Sequence, residues 1–182
     1  MEFPVARPDV VRAVNQRWLL KFWQRHRGAH RVTQWQAVEP DNLAHMSANL
    51  SLLDVVPARD AARFLIRFHG ATVGQVYGSA DCRGRHVDEV IPPARCAAAL
   101  APYKHTAAAG SPVYTIHGVA DRDGRLVQYE RLLLPFARDG QTVDRILASL
   151  EFICDDGGFQ GRDLMSAQKS PPALRFAATI EA

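Results

Sequence analysis

The stretch RFLIRFHGATVGQVYGSADCRGR, residues 63–85, alternates for seven residues and then breaks into glycine-punctuated segments. Phe64, Ile66 and Phe68 fall on one side of an extended chain, and Arg63, Leu65, Arg67 and His69 on the other, so only Leu65 departs from an apolar/polar alternation. That period of two is the signature of a half-buried antiparallel strand. Gly70, Gly74, Gly78 and Gly84 follow at short intervals, which excludes one long helix and predicts short turns kept close to the sheet.

Upstream, LSLLDVV at 50–56 and the turn 57–60 complete an antiparallel hairpin with the 63–69 strand. Downstream, Pro92-Pro93 opens an alanine-rich segment, 94–109, that predicts a helix stopped by Gly110 and kinked or split by Pro102. Residues 113–119 read as a strand, 121–124 (DRDG) as a hairpin turn, 125–136 as its partner, and 142–152 as a further strand after Arg138-Asp139-Gly140. The order is therefore two strands, a helical crossover, then three strands.

Towards the N-terminus, Pro8-Asp9 leads into a segment where Val11, Val14, Trp18 and Phe22 recur at helical spacing, widened by Val10 and by Leu19 or Trp23. With Asp9 as N-cap and Gly28 as stop, this predicts a helix of about 18 residues bearing arginines on its outer side. Its aromatic residues need a partner surface, either the chain's own sheet or a second copy, and Trp18, Phe22 and Trp23 are the candidate interface residues. Residues 29–42 read as a connector and 40–49 as a short helix; beyond Asp155-Asp156-Gly157-Gly158 the periodicity fades into a tail. The resulting division is 1–49 as an N-terminal helical extension, 50–153 as the main domain and 154–182 as the tail.

At 182 residues with 47% hydrophobic and 23% charged residues, the chain has the makings of one globular domain that buries roughly 70% of its unfolded surface. No apolar run approaches the roughly 20 residues of a membrane span, and no secretory leader is visible, so a cytoplasmic location without membrane attachment is expected. Cys82, Cys96 and Cys154 have no metal-ligand spacing and read as free thiols. The net charge of +3 does not by itself imply nucleic acid, but residues 1–31 hold seven basic side chains against two acidic ones.

Four motifs stand in a fixed order: Leu19, Phe22, Trp23, Arg27 and Gly28; Arg63 to Gly70; Tyr77 to Arg85; and Tyr129 to Pro135. Together, over about residues 15–153, they resemble a family of single-domain bacterial PAS proteins with an N-terminal helical extension. The resemblance implies an α+β fold, with a PAS-like five-stranded antiparallel sheet, a helical crossover on one face and an N-terminal helix. It also implies a sensory module, since PAS domains often enclose a cavity between sheet and crossover. The alternation supplies candidate ligand-binding residues: Phe64, Ile66 and Phe68; Tyr114 and Ile116 if that face of their strand is inward; Leu132 and Leu134, sharing a face with Phe136; Val76 and Tyr77 with Val73 on the crossover; and Leu100 and Tyr103 in the alanine-rich segment. The same pattern fits a fully packed core, because apolar periodicity does not distinguish packed from hollow.

Chemistry-bearing motifs are sparse. His26 and His30 have an i, i+4 spacing but are separated by Gly28, and no third ligand can be placed beside them. His105 lies late in the crossover, where haem-binding PAS sensors place their axial histidine, yet Lys104 and Pro102 flank it and a surface histidine is expected. No cofactor is assigned. Asp81 and Arg85 are expected to form an ion pair or to cap the next short helix, and Arg131 to face solvent with Tyr129. Ser79, Ser111 and Ser166 lack a nucleophile context, phosphate-binding glycine motifs are absent, and a non-catalytic protein is expected. The sequence thus points to a sensory or regulatory module that binds a small-molecule ligand or a signalling partner protein and forms a homodimer. The alternative is a nucleic-acid-associated regulator using the basic N-terminal helix, disfavoured because its aromatics are amphipathically spaced.

Overall fold

The computed structural model describes residues 1–35, 40–59, 61–78, 81–155, 157–168 and 171–181; the connector positions 36–39, Asp60 of the expected turn and Ser79 lie outside them. The strands are β1 (Val5–Ala6), β2 (Leu50–Val56), β3 (Arg63–His69), β4 (Val113–Ala120), β5 (Leu126–Phe136), β6 (Arg145–Ile153) and β7 (Ala173–Ile180). They form one sheet in the order β1-β7-β4-β5-β6-β2-β3. The five expected strands are contiguous and antiparallel within it, β3-β2-β6-β5-β4. Two strands are added to this set. β7 pairs antiparallel with β4, and β1 pairs parallel with β7, so the sheet is mixed and its last strand lies in what read as a tail. Phe176, Ala178 and Ile180 of β7 alternate into the core, but Ala177 and Ala178 at its centre mute the hydrophobic signal.

Both faces of the sheet are covered. One carries α1 (Val14–Arg27) and a 3₁₀ segment, Pro40–Asn49, over Tyr114, Ile116, Leu132, Leu134, Phe136 and Leu147. The other carries the crossover, α2 (Ala71–Tyr77), α3 (Val87–Val90) and α4 (Pro93–Ala109), over Leu53, Phe64, Ile66, Val113, Leu133 and Ile146. Gly70, at the start of α2, lies against the 3₁₀ segment so closely that a Cβ would sit 2.2 Å from the Ser47 carbonyl oxygen. Gly78 ends α2 in the left-handed region, with φ of 70°.

Three expectations are corrected here. α1 buries Gln16, Leu19, Leu20 and Trp23, whereas Val14 is 71% and Trp18 40% exposed, so its inward face is rotated from the expected one. The cause is Gln16, whose Nε2 donates to the carbonyls of Glu130 (3.1 Å) and Ser149 (3.0 Å) and so occupies a buried position that a hydrophobicity pattern assigns to solvent. α1 also begins at Val14, after a short 3₁₀ turn at Pro8–Val10, and its cap comes from the sheet and not from Asp9: the Ala13 N–H donates to Glu130 Oε2 at 3.2 Å. Lastly, α4 runs unbroken through Pro102, where a single backbone donor is missing in a segment of strong helix formers.

Candidate functional site

Between α4 and the β4-β5-β7 part of the sheet lies a cavity of about 130 Å³, walled by Tyr77, Ile91, Arg95, Ala98, Ala99, His117, Tyr129, Arg131, Met165 and Leu174, with Met1, Pro171 and Pro172 completing the lining. A smaller cavity of about 40 Å³ shares Tyr77 and Ile91 with it and reaches Ser51, Ile66, His69 and Tyr103. The polar wall residues on the sheet are placed by strand alternation. On β5, Tyr129 and Arg131 point to the crossover along with Leu133, while Glu130 between them points to α1; on β4, His117 lies opposite Tyr129 in register. Arg95 reaches in from the first turn of α4 and donates through Nη1 to the Met165 carbonyl.

Arg131 is 3% and Arg95 5% exposed, and among the described residues neither has an ion-pair partner. Arg131 donates through Nη1 to the Ala99 carbonyl at 3.5 Å, and its guanidinium carbon stands 5.1 Å from the Tyr103 ring centre. Its Nε and Nη2, the Nε of Arg95 and the Nδ1 of His117 are buried and have no hydrogen-bond partner among the described residues. The His117 ring stacks on Tyr129 at 4.8 Å and 7°. Burial, aided by the nearby Arg131 charge, lowers the His117 pKa to about 3, so the imidazole is neutral. Burial likewise raises the Tyr77 and Tyr129 hydroxyls above the ordinary tyrosine range. Among the described residues no aspartate or glutamate lines either cavity.

The candidate ligand residues divide. Ile66 and Tyr103 line the smaller cavity, Tyr77 lines both, and Phe64, Val76 and Leu100 pack in the crossover-side clusters. Tyr114, Ile116, Leu132 and Leu134 face the other way, into the core beneath α1, because the true inward phase of β4 and β5 is offset by one residue from the expected one. Phe68 also leaves the cavity side: the register jumps from Leu52↔Phe68 to Leu53↔Ile66, and the extra residue, Arg67, turns Phe68 out to 40% exposure while bringing His69 in. The residues missed were Arg95, His117, Tyr129 and Arg131, and the expectation that Arg131 and Tyr129 face solvent is overturned. Alternation back from Leu133 was the available signal, masked because Leu132, Leu133 and Leu134 are equally apolar.

Of the interface candidates, Trp23 is fully buried, its Nε1 donating to the Pro135 carbonyl at 2.6 Å, so it belongs to the core. Trp18 stacks on Phe22 at 5.3 Å and stays partly exposed. Asp81 pairs with Arg83 at 2.7 Å, while Arg85 donates to the Glu89 carbonyl, so the expected Asp81–Arg85 pair does not form. His105 is half-buried, its Nε2 2.8 Å from Thr179 Oγ1 and its ring stacked on Phe3 at 4.4 Å.

On the crossover side of the Glu130 strand the wall is cationic, and on the other side Glu130 is buried and anionic. Its Oε2 accepts from the Tyr114 hydroxyl at 2.6 Å, and its Oε1 pairs with Arg12 Nε at 2.9 Å. This carboxylate pins the entry of α1 to the centre of the sheet.

An antiparallel sheet in the order β3-β2-β6-β5-β4, with an all-helical crossover closing over a small cavity, defines a sensor-type α+β module. The chain belongs to the PAS domain family, whose model matches residues 11–151, from the residues that lead into α1 almost to the end of β6. None of the curated proteins matches the sequence. Among the described residues no helix is long and apolar enough to cross a membrane.

Proposed function

We propose that this PAS-family chain is a ligand-responsive sensor that binds a small molecule in the cavity beneath α4 and passes its occupancy on by contact with another protein, without catalysing a reaction. The observation that supports this most is the cavity itself, a space of about 130 Å³ bordered by buried side chains whose polar atoms lack partners. A packed core leaves few such groups. An apolar cavity of about 150 Å³ is known to admit benzene, so the space suits a ligand of similar size. Native mass spectrometry of gently purified protein tests the reading: a bound small mass that leaves on denaturation supports it, and a bare chain under all gentle conditions removes it.

For output, the exposed Val14 and Trp18 on α1, with the half-buried Phe22 stacked on Trp18, form the surface we assign to a homodimer or partner contact. Light scattering on Trp18→Glu checks it, with a fall in mass from dimer to monomer expected. The second reading rests on Arg17, Lys21 and Arg25, which are exposed at successive four-residue steps of α1. Nucleic-acid binding through this stripe requires an affinity that falls steeply with salt; no binding at low salt dismisses it.

A further inference from the structure

Resting on the reading of the cavity as a ligand site, we propose that its ligand is a small organic anion, a carboxylate on a short apolar body, gripped by Arg131 with Arg95 beside it. Two buried guanidinium groups share one wall, and among the described residues no acidic side chain lines the space and the ion pairs lie elsewhere in the fold. Buried cations are otherwise paired, and two without a counter-charge also repel each other. A bound anion relieves both costs.

The unsatisfied atoms define the group that fits. On Arg131 the partnerless nitrogens are Nε and Nη2, the adjacent pair whose N–H bonds run side by side, while Nη1 is turned to the Ala99 carbonyl. That edge presents two parallel donors at the spacing of the two oxygens of a carboxylate. The Nε of Arg95 offers one further donor. The rest of the wall is alkyl or aromatic, including Ile91, Ala98, Met165 and Leu174. Such a lining, alkyl and aromatic apart from His117 and the Tyr77 and Tyr129 hydroxyls, suits a hydrocarbon body better than a strongly hydrated phosphate. His117, neutral at physiological pH, adds no third positive charge.

The test uses the full chain and a matched set of probes, the monocarboxylates from acetate to valerate with their amides, and inorganic phosphate at constant ionic strength. At a hundredfold excess over Kd, one or more carboxylates raise the melting midpoint by about 5 °C or more, and the amides and phosphate do not. Arg131→Met abolishes the shift. Arg131→Lys, which keeps the charge but loses the two-pronged edge, weakens carboxylate binding about tenfold or more and keeps the test decisive if Arg131→Met fails to fold. Equal shifts from the amides, a shift from phosphate alone, or unchanged carboxylate affinity in the lysine variant overturns the anion assignment. If no probe binds but native mass spectrometry retains a neutral molecule, the anion assignment fails and the sensor reading stands. If no probe binds and the chain is bare, both fail.

Discussion

Glu130 and His117 show how single side chains fix the two sides of this sheet. Glu130 is fully buried, yet it accepts from the Tyr114 hydroxyl and the Ala13 amide and pairs with Arg12, so its charge is met on the side where α1 begins. Glu130→Gln keeps the shape but loses the charge, and hydrogen bonds to charged groups are worth about 1.5–3 kcal/mol; denaturant unfolding should therefore show a loss of about 2 kcal/mol. Amide exchange in the first turn of α1 should rise in the same variant. His117 acts through titration instead. Its folded pKa is about 3 and its ordinary value 6.5, so below pH 6.5 the unfolded chain takes up a proton that the folded chain refuses. The stability this residue contributes is complete above pH 6.5 and is lost as the pH falls towards 3, by up to about 1.4 kcal/mol per pH unit. His117→Phe, which can keep the stack on Tyr129, should flatten the stability profile between pH 6 and 4 by about one proton. His69, also lowered by burial, supplies part of the slope that remains.

At the scale of elements, the phase of a helix or strand decides which residues matter. Trp23 lies under α1 with its indole N–H satisfied, and Trp18 lies on the outer side. Trp23→Ala should cost about 4 kcal/mol in equilibrium unfolding, whereas Trp18→Ser should change monomer stability by less than about 0.5 kcal/mol. The existence and order of the five expected strands and the crossover were legible in the sequence because alternation, alanine runs and Gly or Pro punctuation are local signals. Phase was not. Three consecutive leucines on β5 carry no alternation, a bulge at Arg67 reverses β3 after Ile66, and a buried Gln16 is disguised as a surface residue until its two carbonyl acceptors on β5 and β6 are in place. The cavity wall was hidden for the same reason: a buried arginine lining a cavity has no local signature that separates it from an arginine in water.

Across the whole molecule, the chain's two outer segments close the sheet together. β7 covers the free edge of β4, and β1 in turn covers β7, with Val5 opposite Thr179 and Ala6 opposite Ile180. Truncation after Gln168 bares the β4 edge and removes Ala178 and Ile180 from the core under α1, so the truncated chain should melt about 10 °C lower and self-associate on size-exclusion chromatography. The same sheet carries a charge separation through its thickness. At consecutive positions of one interior strand, a guanidinium faces the crossover and a carboxylate faces α1, like the two plates of a capacitor one peptide apart. An anion seated against Arg131 would discharge one plate, and the Glu130 carboxylate holding the start of α1 would feel the change in field through a dry, weakly screening layer. For such a signal to cross the sheet, no strand has to slide.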